Sequence, residues 1–81
     1  MQIETVGKYQ LHLIAHEVGD TRWDPFLAVM RFDEDAQDFV CAMEKRHVGH
    51  PCASYEEAIE VARQAGNRFI ASGKPVGTAA A

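Results

Sequence analysis

Two histidines and a cysteine fall within residues 46–52, which read RHVGHPC. Zinc accepts imidazole nitrogen and thiolate sulfur, so His47, His50 and Cys52 form a candidate metal set, with Cys41 available from upstream. Their H-x2-H-x-C spacing lacks the paired C-x2-4-C or H-x3-5-H clips of structural zinc sites. The sequence therefore predicts no metal and no other cofactor, and these four residues are the candidates if a metal is bound.

The same segment could supply a cysteine nucleophile with a histidine base. A catalytic thiol needs a positioned base, a group that orients that base, and a pocket for the substrate. A chain of 81 residues has little room for such a cleft, so we expect a protein that is not an enzyme and has no catalytic residues. The simpler interpretation is a strand-to-helix loop in which Gly49 permits a bend, Pro51 stiffens it, and Val48 and Cys52 pack toward the core.

The composition is typical of one small globular domain. Apolar residues make up 47% of the chain and charged residues 25%, and the formal net charge is −4. This acidic balance disfavours nucleic acid as a partner without excluding it. No apolar run is long enough to span a membrane, and the N-terminal residues lack the features of a signal peptide. We therefore expect a cytoplasmic protein with no membrane contact, whose cysteines stay reduced.

Three segments carry the sequence patterns of β-strands. They are YQLHLIAHEV at 9–18, which alternates with a period near two, FLAVMRF at 26–32, which is almost wholly apolar, and FVCAMEK at 39–45, which alternates again. Gly, Asp and Pro in 19–25 and the acidic residues of 33–38 indicate turns between them. Short connections of this kind predict an antiparallel meander.

A helix start is marked by Ser54 and Glu57, which have the spacing of a capping box. Apolar residues then recur at helical spacing opposite a charged stripe, which predicts an amphipathic helix. The expected fold is therefore α+β, a three-stranded antiparallel β-meander with one C-terminal amphipathic helix packed on one face, in two layers. We place an N-terminal arm at 1–7, a single β-β-β-α domain at 8–73 and a flexible C-terminal tail at 74–81.

One helix can cover only one face of such a sheet. In the predicted register the helix side carries Tyr9, Leu11 and Leu13 from the first strand and Phe26, Ala28 and Met30 from the second. The other face keeps an apolar centre, which indicates a surface that binds a protein partner or a second copy of the chain, unless the arm or tail folds over it. The predicted partner-binding residues are His12, Ile14, His16, Leu27, Val29 and Arg31.

A second hypothesis is that the sheet binds nucleic acid. The residues that would carry this function are Arg22, Trp23, Arg31, Lys45 and Arg46. This hypothesis ranks below protein binding, because acidic residues concentrated in the same half of the chain would repel phosphate: Asp20, Asp24, Asp33, Glu34, Asp35 and Asp38. A metal- or thiol-dependent enzyme built on RHVGHPC ranks third.

The pattern YQLHLIAHEVGDTRWDPFLAVMRF, followed after a polar hairpin by SYEEAIEVARQAGNRFI, resembles small uncharacterised bacterial β-β-β-α proteins, some of them encoded by prophages. The segment PCASYEEAIEVA is more distantly similar to the P-G-C…T-x-E-E-A passage of HicB-type antitoxins. Integrase arm-binding domains share the same outline, which is an analogy of fold and not of activity. These resemblances imply a binding or partner-inhibiting role.

Overall fold

A computed structural model of the chain describes residues 1–72, which form four strands and one helix. The elements are β1 (Gln2–Val6), β2 (Tyr9–Val18), β3 (Arg22–Asp33), β4 (Asp38–His47) and α1 (Tyr55–Ser72). The strands form one antiparallel sheet in the order β1-β2-β3-β4, and α1 packs against β2 and β3. The α+β class, the antiparallel sheet and the C-terminal helix are confirmed. The tail predicted for 74–81 lies outside the described residues.

The sheet has four strands and not the three that we expected. The additional strand is β1, which comes from the segment expected to form a loose arm. It pairs with β2 in regular register, from Gln2 opposite Leu13 to Val6 opposite Tyr9. Four of its five side chains are exposed, so backbone pairing rather than burial holds this strand in place, and its sequence shows no apolar period. The arm extends the edge of the sheet.

The core lies between the sheet and α1. Leu11 and Leu13 of β2 lie opposite Val29 and Leu27 of β3, and all four side chains are fully buried. From the helix, the buried apolar residues are Ala58, Ile59, Ala62, Ala65 and Phe69. At Gly66 the helix comes so close to β2 that an added Cβ would lie 2.8 Å from Leu11 Cδ1.

The predicted face of β3 was wrong by one residue. Leu27 and Val29 lie under α1, whereas Phe26, Ala28 and Met30, which we expected there, alternate with them and point to the opposite side. The physical reason is that this strand is apolar on both faces. A shift by one residue moves every side chain to the other face, and here the apolar pattern does not choose between the two.

The start of α1 has the predicted cap. Glu57 N donates to Ser54 Oγ at 3.1 Å, as expected for a capping box. The returning bond differs by one residue, because Glu57 Oε1 accepts from the amide of Ala53 at 2.9 Å.

The part of the chain that the structure describes has no helix with the length and apolarity that a membrane crossing requires.

An ion pair connects β1 to the helix. Arg63 Nε donates to both carboxylate oxygens of Glu4, at 3.1 and 3.0 Å, and Arg63 Nη2 lies 2.7 Å from Glu4 Oε2. The hydrogen bonds from Arg63 hold the pKa of Glu4 below its usual value. The Arg63 and Glu4 side chains are 30% and 32% exposed, so water screens part of this attraction.

Glu4→Gln is expected to lower the free energy of unfolding by roughly 0.5–1 kcal/mol at neutral pH. Because the folded chain lowers the pKa of Glu4, its contribution is complete above the pKa of the unfolded carboxyl, about 4.3, and is lost as the pH falls through the folded pKa. Urea unfolding of the two proteins should therefore differ at neutral pH and converge in acid. Glu17→Gln, an exposed change near the end of β2, is the control. An equal loss at both pH values would contradict the ion pair.

Candidate interaction face

The side of the sheet that points away from α1 is called the open face here. The pairing of β2 with β3 identifies its side chains: Ile14 lies opposite Phe26, and this pair alternates with the buried pair of Leu13 and Leu27. No helix or strand within residues 1–72 packs on this side. Its apolar centre consists of half-buried side chains: Ile14, Phe26, Ala28, Met30, Phe32 and Phe39.

Phe26 is surrounded by basic side chains on the open face. The rings of His16 and His47 stand edge-on to it, with centroids 5.0 and 5.1 Å away. Lys45 Nζ lies 5.2 Å from the Phe26 ring centroid, within the range of a cation–π contact. We call His16, Phe26, Lys45 and His47 the Phe26 cluster.

Two polar contacts connect the side chains of this cluster to each other and to Asp24. Lys45 Nζ lies 2.7 Å from His16 Nε2, and an ammonium at Lys45 can only donate in this contact. His47 Nε2 lies 3.1 Å from Asp24 Oδ1. The cluster therefore presents one ammonium and an aromatic ring together, with Asp24 beside His47. Such a combination can bind a carboxylate that is attached to an apolar group.

The opposite end of the open face is aromatic and acidic. Phe32 and Phe39 pack edge-on with ring centroids 5.5 Å apart. In the turn that follows, Asp33 Oδ1 accepts from the amide of Asp35 at 2.9 Å, and Lys8 Nζ lies 2.8 Å from Glu34 Oε2. The acidic β3–β4 turn and the basic Phe26 cluster therefore lie at opposite ends of the open face.

The predicted partner-binding residues divide between the two faces. His12, Ile14 and His16 share the open face, because β2 alternates as expected. Leu27 and Val29 are fully buried under α1 and cannot contact a partner, which corrects their assignment. Arg31 is exposed, but its position in the alternation of β3 places it on the helix side. All three misplacements have one cause, the one-residue error in the face of β3.

The basic residues of the nucleic-acid hypothesis are not gathered on one surface. Arg22 and Arg31 are at opposite ends of β3, about 30 Å apart at 3.3 Å per residue. Trp23 packs edge-on against Tyr55 of α1, with ring centroids 5.5 Å apart, and Arg46 lies opposite the buried Leu27. By the alternation of β3, Arg22 shares the open face with Lys45, whereas Trp23, Arg31 and Arg46 lie on the helix side.

The metal candidates are separated by the sheet. His47 and Cys41 lie on the open face, while Cys52 is buried on the helix side and its Sγ donates to the carbonyl of His50 at 3.3 Å. Within the described residues there is no group of three or more His, Cys, Asp or Glu side chains arranged to hold a metal ion.

From Val48 onward the RHVGHPC segment is the predicted crossing loop, whereas Arg46 and His47, which we expected in the loop, belong to β4. Gly49 has a φ of 152°, and Val48 and Cys52 are buried. The loop is fixed to the start of β3 by two backbone bonds, from Trp23 N to Cys52 O at 2.9 Å and from Cys52 N to Trp23 O at 2.7 Å. β3 begins at Arg22, four residues before the strand that the sequence predicted, because its ladder with β2 continues to Val18 opposite Arg22.

The two thiols should react at different rates. Burial raises the pKa of Cys52, and the nearby carboxylates of Glu57 and Asp24 raise it further, whereas Cys41 is exposed. With a thiol-exchange reagent at mildly alkaline pH we expect Cys41 to react at least about tenfold faster, because reagent access and thiolate fraction both favour it. The variants C41S and C52S assign the two phases. Equal rates in these variants would contradict the burial of Cys52.

Comparisons with models of protein families, with curated proteins and with solved structures found no match to this chain. The resemblances to small bacterial β-β-β-α proteins and to HicB-type antitoxins therefore stay predictions. The arrangement of the open face is the basis for proposing a function.

Proposed function

We propose that the chain is a non-catalytic interaction module that binds a partner protein through the open face. One observation carries the proposal: the sheet has apolar side chains on both sides, and α1 covers only one of them. The N-terminal segment, which could have covered the second side, is paired as β1 at the edge of the sheet. Apolar patches of this kind on small domains commonly mark binding surfaces.

The chemistry of the open face suggests what the partner presents. Half-buried aromatic and aliphatic side chains at the centre favour an apolar contact, and aromatic residues supply much of the binding energy of protein interfaces. Lys45 beside Phe26 favours a carboxylate at one end. The proposed partner surface is therefore apolar with an acidic residue at the side that contacts the Phe26 cluster.

The proposal is non-catalytic because the reactive groups are not brought together. Cys52 is buried on the helix side. On the open face, His16 and His47 both pack on Phe26, whereas Cys41 lies opposite Met30, four positions away along β3 or about 13 Å at 3.3 Å per residue. A thiol and an imidazole base must be within hydrogen-bond reach to work as a nucleophilic pair. We place the module in the cytoplasm, where free thiols such as these persist.

Nucleic acid is the second candidate ligand. The observation that favours it is the row of half-buried aromatic rings on the open face, Phe26, Phe32 and Phe39, since bases stack on aromatic side chains. The acidic β3–β4 turn at one end of this row opposes it. Binding to mixed-sequence fragments that weakens steeply with salt would support this candidate over a protein partner.

The proposal can be tested with a photo-crosslinking residue placed at Ile14 on the open face or, as a matched control, at Gln64 on the exposed side of α1. We expect a discrete protein adduct from position 14 only. The protein identified should then bind the purified chain, and Phe26→Asp should weaken that binding at least about tenfold, as expected for an aromatic residue central to an interface.

Two outcomes would count against the proposal. The first is an equal yield of the same adduct from positions 14 and 64, which would show no preference for the open face. The second is binding of the purified protein that Phe26→Asp leaves unchanged. An adduct at position 14 that nuclease treatment removes would instead support nucleic acid.

A further inference from the structure

The two edges of the sheet differ in their readiness to pair with another strand. At the β4 edge of the sheet the strand is irregular, because two register shifts interrupt its ladder with β3, between Leu27 and Val29 and between Val29 and Met30. Bulges and charged residues, here Glu44 and Lys45, are features that protect edge strands. By contrast, β1 forms an uninterrupted ladder with β2, so its outer edge is a regular template for a further strand.

Exposed apolar side chains are concentrated at this regular edge. Within the described residues, the large apolar side chains that are exposed are Met1 at 69%, Ile3 at 52%, Val6 at 38% and Val18 at 42%, and the first three lie in or beside β1. The strand has one charged residue, Glu4, which lies on the helix side and is bound by Arg63. On the open face, β1 therefore carries no charged side chain that would oppose pairing with another strand.

We propose that β1 pairs antiparallel with β1 of a second copy of the chain, across a two-fold axis at Ile3, joining the two sheets into one of eight strands. A second copy fits because a two-fold axis makes one edge complementary to itself. Five-residue pairing buries a small area, so the association is expected to be weak, in the micromolar range.

The register follows from cross-strand pairs. An axis at Glu4 would place two carboxylates directly opposite each other, which is unfavourable. An axis at Ile3 instead places Ile3 against Ile3 of the second copy and the amide of Gln2 against the carboxylate of Glu4 of the second copy, both on matching sides of the sheet. The second arrangement brings together the most exposed large apolar side chains of the two β1 strands and gives each Glu4 a further hydrogen-bond donor.

This inference goes beyond the proposed function and does not rest on it. Edge pairing leaves the open faces of both copies uncovered and places them side by side on one continuous sheet. A dimer would therefore present two open faces. A partner that carries two copies of its binding site could bind both, and the second contact would gain from effective concentration.

Sedimentation across micromolar to near-millimolar concentrations tests the pairing. We expect a concentration-dependent monomer–dimer equilibrium for the unmodified chain. Ile3→Lys adds a charge to the edge and should weaken dimerisation at least about tenfold. Val18→Lys, the same kind of change at an exposed apolar residue away from that edge, should leave it unchanged. In a C41S background, I3C should crosslink on mild oxidation faster than T5C, since directly opposed residues have the spacing of a disulfide.

Four results would overturn the inference. One is a monomer at every concentration, and another is an equal effect of Ile3→Lys and Val18→Lys. The third is faster crosslinking of T5C than of I3C, which would exclude an axis at Ile3. A dimer that survives Ile3→Lys but dissociates with Phe26→Asp would be a face-to-face dimer, which overturns edge pairing while supporting the open face as a binding surface.

Discussion

Leu27→Ala is expected to destabilise the chain by about 2–5 kcal/mol, whereas Ile14→Ala should cost about 1 kcal/mol or less. Leu27 is fully buried beneath α1 opposite Leu13, so its truncation leaves a cavity that the helix and sheet cannot easily fill. Ile14 follows Leu13 in β2 and lies on the open face. It is half-buried there, and water can take the place of the lost methyl groups.

Urea unfolding of the two variants gives the comparison directly. Both changes remove the same number of carbon atoms, so the difference between them reports burial and not composition. Similar losses of stability in the two variants would contradict the assignment of faces. A larger loss at Ile14 would mean that α1 covers the other side of the sheet.

Gly49→Ala is expected to cost about 1–3 kcal/mol for two separable reasons. The φ of Gly49 is +152°, a conformation that residues with a Cβ rarely adopt, and an added Cβ would lie 2.9 Å from Val61 Cγ1 and 3.5 Å from Pro25 Cγ. The contact and the backbone strain therefore act together at the bend of the RHVGHPC loop.

A double-mutant cycle separates the two reasons. Val61→Ala should relieve the contact but not the backbone strain, so G49A should cost less in the V61A background without becoming neutral. Gly19→Ala is the matched control, because Gly19 has a φ of +66° and no atom within 4 Å of an added Cβ. Equal costs for G49A in both backgrounds would exclude the contact with Val61.

The strength of local signals decided how much of the fold the sequence predicted. The alternation of β2 and the Ser54 cap of α1 are set by residues close together in the sequence, and both were predicted correctly. β1 was missed because its order comes from pairing with β2 and not from a period of its own. The orientation of β3 could not be read from a strand that is apolar on both faces, since only the packing of Leu27 and Val29 against α1 decides it.

The candidate site was predicted in part for similar reasons. His12, Ile14 and His16 follow from the alternation of β2 alone. Sequence alternation places Cys41 and Met43 on one face, but an irregularity in β4 puts Met43 under the helix and leaves Cys41 exposed. Register shifts of this kind depend on the partner strand, so no sequence pattern indicates that Lys45 and the rings of His16 and Phe26 come together.

The central claim is that the open face is exposed in the folded chain, and solvent paramagnetic relaxation tests it most directly. With a soluble paramagnetic agent added to the dilute full-length chain, the methyl signals of Ile14 and Met30 should broaden strongly, while those of Leu13 and Val29 should broaden little. If Ile14 and Met30 were protected as well as Leu13 and Val29, another part of the chain would cover the face, and the proposed binding surface would be contradicted.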